Sequence, residues 1–178
     1  MKKNKAVFLD RDGIVCKALH PNDGKNGYLI AWEEFRLTSG IKELIDVARN
    51  RGYKIFVVTN QPQVAKNLLS IQKLEEIHSK MEAVLGGTID HVYFCPHKEG
   101  DGCECRKPNP GMIHKAEEEY NLDLSKSLII GDSDKDIEAG KQVGCKTIFV
   151  KNKIKEKYLK NCSPDNVVEN LREIIPFL

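Results

Sequence analysis

The acidic residues of this chain are concentrated at two places where a short apolar run ends. Ala6-Val7-Phe8-Leu9 is followed directly by Asp10-Arg11-Asp12-Gly13, and Leu128-Ile129-Ile130 is followed by Gly131-Asp132-Ser133-Asp134-Lys135-Asp136. Clustered carboxylates repel one another, and a hard divalent cation such as Mg²⁺, which takes oxygen ligands and bridges to phosphate, relieves that repulsion. An aspartate can also act as a covalent nucleophile and form an aspartyl-phosphate. The two segments therefore predict magnesium-assisted chemistry on a phosphate group.

Asp10 and Asp12 are suited to different steps of that chemistry. In extended backbone, residues i and i+2 face the same side, so both carboxylates would face one substrate. We predict that Asp10 attacks phosphorus and that Asp12 is the general acid and base. The attack brings two anions together, so cations must neutralise charge on the equatorial oxygens.

Further polar residues follow other apolar runs. Thr59 and Asn60 come after the run 54–58, and Arg106-Lys107 lie between two later runs. Each segment alone also fits a simpler interpretation: a turn, a helix cap or a solvated loop. Their common position after predicted strands favours the catalytic interpretation, because the carboxyl ends of parallel strands meet at one edge of a sheet.

Three cysteines and a histidine lie close together at Cys95, His97, Cys103 and Cys105. Such a Cys₃His set suits tetrahedral Zn²⁺, and four protein ligands leave no open position, so the predicted zinc site is structural. Zinc would order a loop that has few apolar residues of its own. The alternative is a surface loop of reduced, unliganded thiols. The wide spacing of the other three cysteines argues against a disulfide framework.

Apolar runs alternate with helical patterns along the chain. The patterns predict strands at residues 6–9, 54–58, 89–94, 128–130 and 146–150, and helices at 41–50, 71–85, 112–120, 136–143 and 167–175. Ser70 is the predicted N-cap of the second helix. Strands that are apolar throughout and separated by helices predict a parallel sheet covered on both faces, a three-layer α/β/α fold. We expect one domain over residues 1–178.

Composition excludes several classes of function. The 178 residues include 28 basic and 26 acidic side chains, a net charge of +2, and 40% are hydrophobic. This balance provides no basic footprint for nucleic acid. No apolar run approaches the roughly 18 residues of a membrane span, and the run after the basic start is too short for a signal peptide. We expect a cytoplasmic monomer without nucleic-acid or membrane partners.

The residues at the strand ends resemble a known set of motifs. Phe8-Leu9-Asp10-Arg11-Asp12-Gly13 is similar to motif I of the haloacid dehalogenase (HAD) superfamily of phosphatases; Thr59-Asn60, Lys107 and the segment 131–136 resemble motifs II, III and IV in the same order. The resemblance implies a HAD-like, Rossmann-like doubly wound parallel sheet. It also implies the following roles: Asp10 as nucleophile, Asp12 as acid–base, Thr59 and Asn60 holding the phosphoryl group, Lys107 stabilising it, Asp10, Asp132 and the backbone carbonyl of Asp12 binding Mg²⁺, and Asp136 as either a ligand or a supporting group.

The cysteine segment narrows the resemblance. Its Cys-x-His and Cys-x-Cys pairs lead into Arg-Lys-Pro-Asn-Pro-Gly at 106–111. This pattern is similar to D-glycero-D-manno-heptose 1,7-bisphosphate 7-phosphatases and equally to histidinol-phosphate phosphatase domains. The resemblance implies that Arg106 recognises the substrate. It also implies a Mg²⁺-dependent phosphomonoesterase that acts on a small sugar phosphate through an aspartyl-phosphate, with heptose bisphosphate as the leading substrate and histidinol phosphate as the alternative.

Two loops bear on the substrate. The family commonly continues Thr-Asn-Gln with Ser-Gly-Ile-Ala-Arg-Gly, whereas this chain has Pro-Gln-Val-Ala-Lys-Asn at 62–67, which alters a loop near the phosphate. The segment 16–30 shapes the substrate pocket in the family and equally fits a solvated loop here; its polar residues are His20, Asn22, Asp23, Lys25 and Asn26. The spacing of the motifs leaves no room for a large cap domain, so we expect an open site.

Two functions outside enzymology use some of the same residues. A receiver-like signalling domain also has paired acids, a threonine and a lysine on an α/β sheet, and one of its aspartates is phosphorylated. In a receiver the acid pair follows the first strand and the phosphoacceptor follows a later one. The position of Thr59 after the second predicted strand and the acidic cluster at Asp132 fit that arrangement poorly. A zinc-dependent interaction module with vestigial acidic sites is the other alternative.

Overall fold

Six parallel strands form a single sheet in the computed structural model, which describes residues 3–20, 22, 27–153 and 156–178. The strands are β1 (Lys5–Leu9), β2 (Tyr53–Asn60), β3 (His91–Cys95), β4 (Leu128–Gly131), β5 (Lys146–Val150) and β6 (Asn166–Val168). Their order across the sheet is β3-β2-β1-β4-β5-β6. The chain winds outward from β1 to β3, returns to β4 beside β1, and winds outward again, so the predicted doubly wound sheet is confirmed.

Four α-helices connect the strands: α1 (Ile41–Asn50), α2 (Ile71–Val84), α3 (Gly111–Tyr120) and α4 (Asp134–Gln142). Their bounds agree with the predicted helices to within two residues. The predicted N-cap is confirmed, because the Ser70 side chain accepts a hydrogen bond from the Lys73 N–H at 3.2 Å. The described residues also contain four 3₁₀ segments, at Trp32–Glu34, Leu124–Lys126, Glu156–Asn161 and Leu171–Phe177.

The two faces of the sheet have separate apolar cores. Val7 and Leu9 of β1 pack with α1 and α2 on one face, whereas Ala6 and Phe8 pack with α3 and α4 on the other. This division follows from the alternation of side chains along a strand. It explains why β1 is apolar at successive positions, since both of its faces are covered.

The predicted helix at 167–175 is wrong in its first part and in its type. Asn166–Val168 forms β6, which pairs with β5 in register Phe149↔Val167, and Leu171–Phe177 is a 3₁₀ segment. Three residues are too few to show the period of a strand, and the apolar residues beyond them mimic a helical face. The sheet therefore gains a sixth strand at its edge.

The connection from β1 to α1 has little regular structure in its described part. Its described residues contain one 3₁₀ turn, Trp32–Glu34, and the connection from β2 to β3 contains only α2 as a regular helix. The prediction that no large cap domain covers the sheet edge agrees with the described residues. Among the helices in these ranges, none is long and apolar enough to cross a membrane.

One histidine is buried in the core beneath the sheet edge. His78 of α2 is 5% exposed, and its ring lies 5.6 Å from that of Phe94. Its Nε2 is 3.2 Å from Nη1 of Arg11. Because the guanidinium can only donate, Nε2 is the acceptor and the ring is neutral. Burial, together with the Arg11 charge, lowers the pKa of His78 to about 3.

This histidine makes the fold acid-sensitive. The unfolded chain protonates His78 near its ordinary pKa of about 6.5 and the folded chain only near 3, so its contribution to stability is present above pH 6.5 and is lost as the pH falls toward 3. Between pH 7 and pH 5 we expect His78→Gln to lose about 2 kcal/mol less unfolding free energy than the wild type. Urea denaturation at the two pH values measures this difference. The exposed His114→Gln is the control and should follow the wild type; equal pH dependence in all three proteins would contradict the prediction.

Candidate active site and metal centre

Asp10 lies at the end of the central strand. Its backbone N–H donates to the Ile130 carbonyl at 3.0 Å, which continues the pairing of β1 with β4 by one residue. Its side chain is mostly buried and accepts a hydrogen bond from Nζ of Lys107 at 3.0 Å. It lines an open pocket of about 350 Å³ together with Asp12, Thr59 and Lys107. The structure thus brings these four predicted catalytic residues to one edge of the sheet.

Lys107 is the cation of the site and is 3% exposed. Its Nζ donates to Asp10, to the Val58 carbonyl at 2.6 Å and to Oδ1 of Asp136. These three bonds use all three protons of the ammonium group. Burial by itself lowers the pKa of Lys107, but the carboxylates of Asp10 and Asp136 outweigh burial, so the pKa is raised. Lys107 is therefore charged and fixed in direction.

The three acidic residues Asp10, Asp132 and Asp136 form a cluster in which one oxygen of each lies within 4.8 Å of the others. Asp132 is fully buried, and its Oδ2 accepts a hydrogen bond from Asn152 at 2.7 Å. Asp136 also accepts from the Ser133 hydroxyl at 2.6 Å and from the Ser133 backbone N–H at 3.2 Å, and the second of these bonds belongs to the capping box at the start of α4. Convergent carboxylate oxygens at this separation are the donor set that Mg²⁺ prefers.

Gly13 allows this cluster to form. It has φ +111, a conformation that L side chains rarely adopt, and a Cβ atom added to it would lie 1.7 Å from Oδ2 of Asp132. The loop after β1 can therefore approach Asp132 only with glycine at this position.

The Asp12 carboxylate accepts hydrogen bonds from two buried side chains. Arg11 donates to it with Nε at 3.0 Å and with Nη2 at 2.9 Å, and Gln61 donates to Oδ2 at 2.9 Å. The Asp12 side chain is 31% exposed toward the pocket, whereas that of Arg11 is fully buried. The Asp12 side chain does not belong to the set of three carboxylates that converge as candidate magnesium ligands. This placement agrees with a proton-transfer role for the side chain.

Thr59 and Asn60 end β2 but have different surroundings. The Thr59 hydroxyl lines the pocket and accepts a hydrogen bond from Gln61 at 2.8 Å. The side-chain amide of Asn60 donates to the Lys107 carbonyl and accepts from the Lys107 N–H, both at 3.0 Å. Asn60 is predicted to hold the phosphoryl group, and in the structure its side chain also fixes the backbone of Lys107.

The four predicted zinc ligands converge, with ligand atoms within 4.8 Å of one another. Sγ of Cys95 lies 3.5 Å from Nδ1 of His97, 3.6 Å from Sγ of Cys103 and 3.0 Å from Sγ of Cys105. Bond lengths of about 2.3 Å for Zn–S and about 2.0 Å for Zn–N in a tetrahedron give ligand separations of about 3.5–3.8 Å. The geometry and donor chemistry of this loop therefore fit zinc.

The zinc loop leads directly into the catalytic cation. Arg106 lines the pocket and donates to the His97 carbonyl at 3.1 Å. The Gly111 N–H donates to the Glu104 carbonyl at 3.1 Å, and a Cβ on Gly111 would lie 2.5 Å from that oxygen. Hydrogen bonds within the loop therefore hold the chain both before and after Lys107.

Among the described residues, a hydrogen bond joins the two loops that flank the pocket. Lys66, in the altered segment 62–67, donates to the Tyr28 hydroxyl at 2.6 Å. Tyr28 lines the pocket, as do Leu19 and Tyr158. Of the polar residues singled out in the segment 16–30, His20 accepts from the Asn22 N–H at 3.2 Å, and Asp23, Lys25 and Asn26 lie outside the described residues.

Sequence analysis missed Arg11, Gln61, His78 and Asn152 as functional candidates. Arg11 lies between the two predicted catalytic aspartates. A charged residue at that position was a signal in the sequence that could have identified it as a functional candidate. The other three gave none, because each has a functional partner 20 to 67 residues away in the chain: His78 with Arg11, Gln61 with Asp12 and Asn152 with Asp132.

Comparison with known proteins agrees with this geometry. Residues 104–174 match the HAD-hydrolase-like family model. D-glycero-alpha-D-manno-heptose-1,7-bisphosphate 7-phosphatase of Burkholderia mallei is 36% identical and aligns with 99% of this chain and 94% of its own length. The corresponding beta-anomer enzyme of Pseudomonas putida is 32% identical, with 92% of each chain covered.

A solved structure extends the comparison. The D,D-heptose 1,7-bisphosphate phosphatase from B. bronchiseptica, crystallised with magnesium and phosphate, has a TM-score of 0.85, 30% identity and 97% coverage of both chains. The motifs, the doubly wound sheet and these relatives agree. The chain belongs to the D-glycero-D-manno-heptose-1,7-bisphosphate 7-phosphatase family of HAD phosphatases.

Proposed function

We propose that this protein is a Mg²⁺-dependent phosphatase that removes the 7-phosphate of D-glycero-D-manno-heptose 1,7-bisphosphate. The observation that carries the proposal is the bond from Lys107 to Asp10 at 3.0 Å, at a pocket that Asp12 and Thr59 also line. The relatives named above act on this sugar. Membership in a phosphatase family sets aside the receiver-like and interaction-module alternatives. The single domain, the cytoplasmic location and the monomeric state stay predictions.

The charges of the site favour a divalent cation. Asp10, Asp132 and Asp136 are three buried carboxylates whose oxygens converge, and within the part of the chain that the structure describes Lys107 bonds to Asp10 and Asp136. Bringing three carboxylates together is costly because like charges repel, and a divalent cation among them would lower that cost. Asp10 and Asp132, with the backbone carbonyl of Asp12, would hold Mg²⁺. When bound, it would neutralise charge on the phosphoryl oxygens.

The residues divide the reaction into two steps. In the first, an oxygen of Asp10 bonds to phosphorus, the bond from phosphorus to the ester oxygen breaks, and Asp12 gives a proton to the departing alkoxide. In the second, Asp12 takes a proton from water, whose oxygen bonds to phosphorus and releases inorganic phosphate and Asp10. Throughout, the positive charge of Lys107 and a hydrogen bond from the Thr59 hydroxyl stabilise the negative phosphoryl oxygens.

Substitution of the nucleophile tests this assignment. Asp10→Asn keeps a hydrogen-bond acceptor for Lys107 but cannot form the aspartyl-phosphate, so we expect phosphatase activity to fall by at least about a thousandfold. Phosphate release is measured with Mg²⁺ present, and circular dichroism checks the fold. Asp46→Asn, which removes the same charge from the exposed face of α1, should keep wild-type activity. An active Asp10→Asn protein would refute the nucleophile assignment.

A panel of esters tests the substrate. Arg106 and Lys66 place two cations near the pocket, and a bisphosphate offers a second anion to bind them. We expect kcat/KM for heptose 1,7-bisphosphate, tried as both anomers, to exceed that for heptose 7-phosphate and for histidinol phosphate by at least about tenfold. Preference for histidinol phosphate would transfer the proposal to the alternative substrate.

We also propose that Cys95, His97, Cys103 and Cys105 bind a structural zinc ion. The convergence of three sulfur atoms and one ring nitrogen supports this, since all four separations measured among them lie between 3.0 and 3.6 Å. A four-ligand site leaves no open position for catalysis. Its role is to order the loop that carries Arg106 and Lys107 to the pocket.

Removal of one thiolate tests the zinc site. We expect the wild type to contain about one zinc per chain by elemental analysis and Cys103→Ser to lose most of it, with a lower melting temperature. The matched control is Cys162→Ser, a cysteine outside the cluster, which should retain zinc. A wild-type protein purified without zinc and unable to bind added zinc would contradict the proposal.

A further inference from the structure

A buried group of polar side chains lies behind Asp12, on the side away from the pocket. We call Arg11, Gln61, Gln63 and His78 the Asp12 network. Arg11 and Gln61 are both fully buried, Gln63 is 1% exposed and His78 is 5% exposed. A buried polar cluster of this size costs folding free energy unless every member is hydrogen-bonded, so its presence in the core calls for a reason.

Arg11 connects Asp12 to α2. Its Nε and Nη2 form a two-point contact with the Asp12 carboxylate, and its Nη1 donates to Nε2 of His78 at 3.2 Å. A planar guanidinium bound at three of its nitrogens cannot turn, so the carboxylate that it grips is fixed in direction. Removing the His78 acceptor would leave one buried N–H group of Arg11 without this partner. The guanidinium group could then shift and move the Asp12 carboxylate with it.

Gln61 connects Asp12 to Thr59. Its Nε2 donates to Oδ2 of Asp12 at 2.9 Å and to the Thr59 hydroxyl at 2.8 Å. Since the carboxylate needs a donor, the amide nitrogen is the atom that faces it, and Gln63 donates to the amide oxygen on the other side. The Thr59 oxygen accepts from Gln61, so its own proton is left to point into the pocket.

We infer that the Asp12 network positions the general acid, with His78 acting through Arg11 and Gln61 acting directly on Asp12. This inference rests on the proposed function. Asp12 is the residue that faces the substrate and none of the network side chains needs to touch it, so Arg11, Gln61 and His78 are positioning residues. The network keeps the Asp12 carboxyl beside the leaving oxygen at the moment when the ester bond breaks.

Leaving-group dependence separates this role from a merely structural one. An alkoxide, such as the 7-oxygen of a heptose, leaves only if it is protonated, whereas p-nitrophenolate is a far weaker base and leaves without an acid. A misplaced general acid therefore slows alkyl phosphates selectively. A variant that is simply less folded loses activity on both esters by the same factor. The ratio kcat/KM is the correct measure, because it reports the steps up to departure of the leaving group.

The experiment compares His78→Leu with His78→Gln on heptose 1,7-bisphosphate and p-nitrophenyl phosphate. Leucine removes the acceptor of Arg11, and glutamine offers an oxygen in its place. For His78→Leu we expect kcat/KM to fall about 10- to 100-fold on the heptose ester and less than about threefold on the aryl ester. His78→Gln should restore most of the loss. Phe94→Leu, which disturbs packing against the His78 ring but leaves its nitrogen in place, should not show the selective loss.

Each result decides the inference. Equal losses on both esters, or no loss on either, would overturn it, as would selective loss in Phe94→Leu of the same size as in His78→Leu. If His78→Leu does not fold, His78→Asn, which is polar but too short to reach Arg11, replaces it with the same expectation. If the wild type prefers histidinol phosphate, that alkyl ester replaces the heptose. A wild type inactive on all these esters would overturn the proposed function and this inference together.

Discussion

The ammonium group of Lys107 is the contact on which the site depends. It bonds to Asp10 after β1, to the Val58 carbonyl in β2 and to Asp136 in α4, so one nitrogen joins three elements that are far apart in the chain. Buried carboxylates are tolerated only when they are paired and hydrogen-bonded. The close approach of Asp10 and Asp136 is possible because this charge lies between them. The sheet order places β1 beside β2 and β4, which brings the partners within reach.

The loop that carries Lys107 has almost no apolar residues with which to fix its own position. It is held instead by polar contacts at both ends. Asn60 binds the backbone of Lys107 through two hydrogen bonds, and the Cys/His cluster ends at Cys105, two residues earlier. An ammonium group must be held to a fraction of an ångström to stabilise a transferring phosphoryl group. The proposed zinc ion would supply that rigidity where a hydrophobic core cannot.

Most of the fold and the principal site residues could be predicted from sequence because both have local signatures. Apolar runs mark the buried strands, and Asp10, Thr59 and Asp132 each follow one; the spacing of the Cys/His residues is likewise local. β6 was missed because its three residues run into an apolar pattern of helical type. The bonds of Asn60 to Lys107 and of Arg11 to His78 were missed because they join residues 47 and 67 positions apart. Such contacts are set by how the elements pack, which no local pattern records.

The two neighbouring aspartates can do different chemistry because their charge partners differ. Asp10 shares the ammonium group of Lys107 with Asp136, beside the proposed cation site, whereas Asp12 has the guanidinium of Arg11 largely to itself. Arg11 alone separates them in sequence, and its side chain is fully buried while both aspartates line the pocket. Arg11, which lies between Asp10 and Asp12 in the sequence, therefore also supplies the positive charge that distinguishes the surroundings of Asp12 from those of Asp10. Two carboxylates in distinct environments are what an enzyme needs when one must attack phosphorus and the other must carry a proton.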